Sequence, residues 1–181
     1  MPGNAFIKFV RNDGGTCEGE SLQESHPAKQ GWLEITDWSW DIEAETNFTK
    51  GTGAAVGKAT PGTLTFAHSY DKSSPLILQN IVRGTHFKTM QIDMLKQTGD
   101  ESGKPQVYFQ LIASSVFITK VASKGGEDGG ITQDVDCVFK EVNLGYKRQT
   151  NKGKLDPNKG FGWNIAEMNF NVSGAVKLTI S

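Results

Sequence analysis

The feature that most restricts this chain is alternation of apolar and polar residues from one end to the other, broken by a single stretch of helical period. A period of two belongs to a strand with one covered face, so the chain must build sheets and close or cover them. Ala5 to Val10 is the first predicted strand, and Trp32 to Glu43 is the second. In the second, Leu33 and Ile35 share one parity while Trp38, Trp40 and Ile42 share the other, which calls for a bulge near Thr36 or Asp37. Thr63 to Tyr70 alternates without interruption, placing Leu64, Phe66, His68 and Tyr70 on one face.

Further strands are predicted at Phe87 to Lys96, Gln106 to Ala122 and Ile131 to Tyr146. The last two change parity, near Ser114-Ser115 and between Phe139 and Val142, as strands in a bent or closed sheet do. The turn Gly125-Gly126-Glu127-Asp128-Gly129-Gly130 joins them as a hairpin. Gln149 to Gly160 reads as a loop, and Phe161 to Ile165 and Phe170 to Ile180 as final strands. Between Ser73 and Gly84 the period changes: Leu78, Ile81 and Val82 recur at helical spacing, a capping serine and Pro75 open the segment, and Gly84 closes it. The fold class is therefore mostly β, an antiparallel β-barrel with one short flanking α-helix.

The whole chain sets outer limits on function. Its 181 residues suit one domain. Nineteen Lys and Arg against 20 Asp and Glu supply no basic field for nucleic acid or an acidic membrane. No run of about 18 apolar residues is present to cross a bilayer, so no membrane insertion is expected, and the first residues carry no secretory pattern. Cys17 and Cys137 belong to no metal-ligand spacing, so neither a zinc site nor a disulfide framework is expected. Both should stay reduced, one as a loop thiol and one buried.

The motifs that resemble catalytic ones fail on their details. Gly51 to Gly62 is glycine-rich like a phosphate loop, but five residues separate Gly51 from Gly57 where four are needed, and Ala59 stands where a metal-binding hydroxyl belongs. His26, His68 and His86 lie in separate segments, and the parity of His68 makes it a packed core histidine. Asp134 and Asp136 share a strand face as solvated acids do, and the Asn47-Phe48-Thr49 and Asn171-Val172-Ser173 sequons are short enough to arise by chance. No catalytic residue, metal or cofactor is expected. Trp38-Ser39-Trp40 stands apart, because two large rings point to one side and Ser39, with Asp37 and Asp41, to the other. Periodicity leaves two readings open there: a plain strand over a core, or a wall of a wet channel.

Taken in order, Phe6-Ile7-Lys8, Ile35 through Trp38-Ser39-Trp40, the glycine-rich loop, Phe66-Ala67-His68-Ser69-Tyr70-Asp71-Lys72-Ser73-Ser74-Pro75-Leu76, Gly125-Gly126-Glu127-Asp128 and Gly162-Trp163-Asn164 resemble the haemolysin-coregulated protein family, Hcp. The match runs from about Ala5 to Asn164. The resemblance implies a barrel with a flanking helix, six-membered rings of identical subunits, and rings stacked into the inner tube of a type VI secretion apparatus. It also implies a structural and effector-carrying role without catalysis. Spike, sheath and effector proteins become the expected partners besides the chain itself, and export through the apparatus would follow synthesis and assembly in the cytoplasm. On this reading Ser39, Asp37 and Asp41 face the lumen and its cargo. Glu43, Asn47, Thr49, Lys50, Gly51, Gly53, Val56, Gly57 and Lys58 then belong to a long ring-assembly loop spanning Glu43 to Gly62. The long polar segment Gly14 to Gln30 decorates the first hairpin, and residues 169–181 form a short extension of the single domain 1–181. The rival from another class is a monomeric or dimeric barrel that binds a small apolar ligand in its cavity.

Overall fold

The computed structural model describes residues 4–48, 54–97, 99, 103–150, 154–157 and 159–167. The expected strand Phe170 to Ile180 and the extension 169–181 lie outside the described residues.

Among the described residues, ten strands and one α-helix follow one another along the chain, with a single 3-10 turn at Ala28–Gln30 before the second strand. They are β1 (Ala5–Val10), β2 (Trp32–Glu34), β3 (Asp37–Ser39), β4 (Ile42–Phe48), β5 (Ala54–Pro61), β6 (Leu64–Ser69), α1 (Ser74–Arg83), β7 (Phe87–Gln97), β8 (Pro105–Gly125), β9 (Ile131–Tyr146) and β10 (Lys159–Asn164). The main sheet runs β2-β1-β7-β8-β9-β6-β3, with β10 also paired to β9, and every pairing is antiparallel.

The two ends of that sheet are consecutive pieces of one segment. β2 pairs with β1, and three residues later β3 pairs with β6. Ile35 N donates to Ala5 O at 3.0 Å and Thr36 N donates to Ala67 O at 2.9 Å, so the backbone passes from one partner to the other without a gap in its hydrogen bonding. The sheet thus curls until residues 32–39 join its ends, giving the barrel that the alternation predicts. The expected single strand Trp32 to Glu43 is corrected to three short ones. The parity change lies where the alternation places it, at Thr36 and Asp37, but its cause is this transfer between partners and not a bulge.

Inside, Phe9, Phe66, Phe87, Ile7, Leu33, Leu64, Met90, Ile92 and Leu111 are fully buried and fill the barrel. A ligand carrier would keep that volume open. β8 and β9 change parity together: Leu111 and Ala113 face Leu144 and Val142, and beyond Ser115 it is Val116 and Ile118 that face Phe139 and Cys137. Ser115 takes a φ of 53°, an uncommon left-handed conformation for a residue with a side chain. A second irregularity between Ile118 and Lys120 returns Val121 to the core side.

The helix forms where its period predicts, and Gly84 closes it at a φ of 64°. Its buried face differs from the expected one. Ser74, Ile77 and Asn80 point inward while Val82 is 84% exposed. Ser73 does not cap by its side chain; Asp71 Oδ1 accepts instead from Ser73 N at 2.9 Å and from the Ser73 hydroxyl. That network turns Ser73 and Ser74 inward, and Val82, about 140° around the helix from Ile77 at about 100° per residue, must then face out. Tyr70 likewise leaves the core face on which alternation places it, since β6 ends at Ser69.

Within the segment Gly14 to Gln30, His26 covers the outer face of the sheet at Phe6 of β1 and Asp93 of β7. There Phe6, Trp32 and Leu95 form a second small core. Leu95 reaches it by plain alternation, on the same side of β7 as Asp93, and the register shift after Met94 falls on β8, where it brings Val107 against the same cluster. Cys17, expected as a loop thiol, is instead fully buried in the inner core beside the barrel end.

Candidate functional site

β3 is held by aromatic contacts on its inner side. Trp38 stacks on Phe109 with centroids 5.2 Å apart and its Nε1 donates to Met94 Sδ at 3.4 Å. Trp40 lies against Phe139 at 5.4 Å and its Nε1 donates to Gly62 O at 3.3 Å. With both rings turned to the core, strand geometry sends Asp37, Ser39 and Asp41 to the other side, where all three are exposed. The structure therefore brings these three together on one outward strip, contiguous with the start of β4.

From Ile42 the chain leaves the barrel. β4 and β5 form a separate two-stranded antiparallel sheet that pairs Glu43 with Thr60, Ala44 with Ala59, Thr46 with Val56 and Asn47 with Ala55. The expected long loop is thus corrected to a hairpin. Its glycines conceal it in the sequence: Gly57 Cβ, if present, would stand 2.7 Å from Glu45 O, so the irregularity between Ala44 and Thr46 admits only a residue without a side chain. Residues 42–46 and 57–60, Glu43, Gly57 and Lys58 among them, are exposed on both faces of the ribbon. Thr49, Lys50, Gly51 and Gly53 lie outside the described residues, and for Asn47 and Val56 the structure describes the backbone pairing.

The base of the hairpin is tied to the barrel. Gly62 N donates to Asp41 O at 2.9 Å, beside the bond from Trp40 to Gly62 O. The ribbon consequently starts from a fixed point, and its two exposed faces are available to another surface. A two-stranded hairpin whose described side chains, at 42–46 and 57–60, are all exposed has little stability of its own.

Among the remaining histidines and the cysteines, His68, Cys17 and Cys137 are buried and His86 is half-buried. His68 is buried and its Nε2 meets Gln133 Oε1 at 2.8 Å, as its parity predicts; His86 stacks on Phe117 at 5.0 Å. Burial pushes the Cys17 thiol up to about 11, with Arg11 opposing that shift, and burial with the neighbouring Asp136 pushes Cys137 up to about 12. Both cysteines are free and protonated at neutral pH.

One polar constellation is not foreseen by the alternation. His26 belongs to the outer covering segment and is buried beneath its backbone against the sheet, its Nε2 2.9 Å from Asp93 Oδ2. Gln91 and Gln110 donate to the same carboxylate. The available signal is the pair of apolar runs Ala5-Phe6-Ile7 and Met94-Leu95, which break alternation and mark a sheet covered on both faces.

Comparison with known proteins agrees with this architecture. Residues 6–149 match the family described as type VI secretion system effector, Hcp. Protein hcp1 of Pseudomonas aeruginosa is 27% identical over 171 residues, covering 92% of this chain and 98% of that one. Among solved structures, a type six secretion system protein superposes with a TM-score of 0.80 at 23% identity, covering 92% of this chain and 98% of the other. Hcp1 from Salmonella typhimurium superposes at 0.69 with 22% identity, covering 92% and 99%. With four-fifths of its length matched by the family and its fold shared with these proteins, the chain belongs to the Hcp family of the type VI secretion system.

Proposed function

We propose that the protein is a non-enzymatic tube-forming subunit whose copies associate into six-membered rings, and that these rings stack into the expelled inner tube and carry effectors in the lumen. The observation that carries this reading is the β4–β5 ribbon, fixed at Gly62 to the barrel, with its residues 42–46 and 57–60 exposed. Ordering such a ribbon costs conformational entropy that its own contacts offset poorly, and a neighbouring subunit or the next ring can supply the missing burial. The strip Asp37, Ser39 and Asp41 then meets the lumen. Spike, sheath and effector proteins are the expected partners, and export proceeds through the apparatus after assembly in the cytoplasm. Residues 169–181 extend the single domain in this reading.

Sizing with negative-stain microscopy of the purified protein tests the ring, which should appear as a six-fold annulus several times the 19.7 kDa mass of the chain. Deleting Thr49 to Val56 should leave a folded barrel that assembles poorly. A monomer at micromolar concentration, or unchanged stacking and secretion after the deletion, would remove the assignment of the ribbon.

A further inference from the structure

The segment over the outer face holds a serine hydroxyl, an imidazole and a carboxylate in one hydrogen-bonded line. Ser25 Oγ lies 2.8 Å from His26 Nδ1, and His26 Nε2 lies 2.9 Å from Asp93 Oδ2. Asp93 is an acceptor that also takes amide hydrogens from Gln91 and Gln110, so Nε2 carries the imidazole proton. In the neutral ring Nδ1 is then the bare nitrogen and accepts from the Ser25 hydroxyl. The ring cannot swing away, because it stacks on Phe6 at 5.0 Å and meets Trp32 edge-on at 4.4 Å. Ser25 itself is exposed, on a turn closed by His26 N donating to Gln23 O at 3.1 Å. A structural lock between segment and sheet needs only His26 and Asp93. The aim of a solvent-facing hydroxyl at the free nitrogen is an additional feature, and it is the arrangement that activates a serine.

We propose that Ser25 is an activated nucleophile that accepts an acyl group from an activated ester or thioester, with His26 as its general base and Asp93 as a positioning residue. Ser25 Oγ attacks the carbonyl carbon and its proton passes to His26 Nδ1. The new Oγ–C bond forms, the bond to the alkoxide or thiolate breaks, and the leaving group takes the proton from Nδ1. The products are acylated Ser25 and a free alcohol or thiol, with no change in oxidation state.

A fluorophosphonate probe tests the site on the intact chain, since the same attack forms an Oγ–P bond and expels fluoride. Peptide mapping by mass spectrometry compares Ser25 with Ser123, an exposed serine on β8. General-base assistance should make Ser25 react at least about 100-fold faster than Ser123, and the preference should vanish in urea. Asp93→Asn, checked for retained fold by circular dichroism, should slow labelling of Ser25 by about 10-fold or more. Equal rates at Ser25 and Ser123, a preference that survives unfolding, or a folded Asp93→Asn protein labelled at the wild-type rate would each overturn the proposal.

Discussion

Replacing His26 by Ala should be among the most damaging single changes outside the barrel interior, and the reason makes the effect reversible by a second substitution. His26 and Asp93 are 4% and 3% exposed, so the pair is out of water. Removing the imidazole leaves a buried carboxylate held only by the amides of Gln91 and Gln110. Leaving a buried hydrogen-bonding group without its partner costs about 1–3 kcal/mol, and more where the group left behind is charged, as the carboxylate is. In the intact protein, Asp93→Asn exchanges a charge-assisted bond for a neutral one and should cost about 1–3 kcal/mol. In the His26→Ala background the sign changes, because the amide that replaces the carboxylate carries no charge to strand, and the double variant should be no less stable than His26→Ala alone. Urea unfolding at fixed protomer concentration measures the three variants, the fixed concentration being needed because assembly adds to apparent stability. Hydrogen exchange adds the location: the amides of Cys17, His26 and Ala28, bonded to Phe9, Gln23 and Ser21, should lose protection first. If Asp93→Asn costs the same in both backgrounds to within about 0.5 kcal/mol, the two residues are independent and the reasoning fails.

Three further outcomes are expected. Neither Cys17 nor Cys137 should react with a disulfide reagent at pH 8 until urea is added, and because burial raises both thiols from 9.0 to about 11 and about 12, stability should fall as pH climbs from about 9 through that range; rapid native reaction, or a native bridge by non-reducing mass spectrometry, would contradict the burial. Asp71→Ala should lower the unfolding free energy by about 0.5–2 kcal/mol and exceed Ser73→Ala, since the carboxylate and not the serine organises the start of α1; the reverse order would restore Ser73 as the cap. Ser39→Gln should change subunit stability by no more than about 0.5 kcal/mol and leave rings intact while reducing cargo retention; unfolding would refute the exposure of Ser39, and normal retention in intact rings would refute the lumen contact alone.

Much of the barrel is legible in the sequence because alternation is a local consequence of one-sided burial. Leu64, Phe66 and His68 can be assigned to the core from parity alone, and the joint parity change of β8 and β9 appears at Ser114-Ser115 and again before Val142. What parity cannot express is which strand lies beside which. Trp32 to Glu43 reads as one strand with a bulge because its residues alternate correctly on either side of Thr36, and only the two backbone bonds to Ala5 and Ala67 show that the chain has changed partners. The ribbon is hidden for a different reason. At 42–46 and 57–60 both its faces are exposed, so burial imposes no alternation there, and its glycines imitate a loop. His26 is hidden because covering segments bury residues by docking, which has no period.

These misses share a position in the fold. Trp32 closes the outer core, Leu33 and Ile35 enter the inner one, Trp38 and Trp40 seal the far wall, and Asp41 fixes Gly62 at the base of the ribbon. A stretch of ten residues, 32–41, therefore couples the covering segment, the barrel closure and the ribbon. Contacts made by an assembled partner on the ribbon would bear on Trp40 through Gly62, and through Trp40 on Phe139. The physical consequence is that the ribbon cannot pivot freely at its root without disturbing a packed aromatic pair, so whatever direction it takes in an assembly is set by the same side chains that close the barrel.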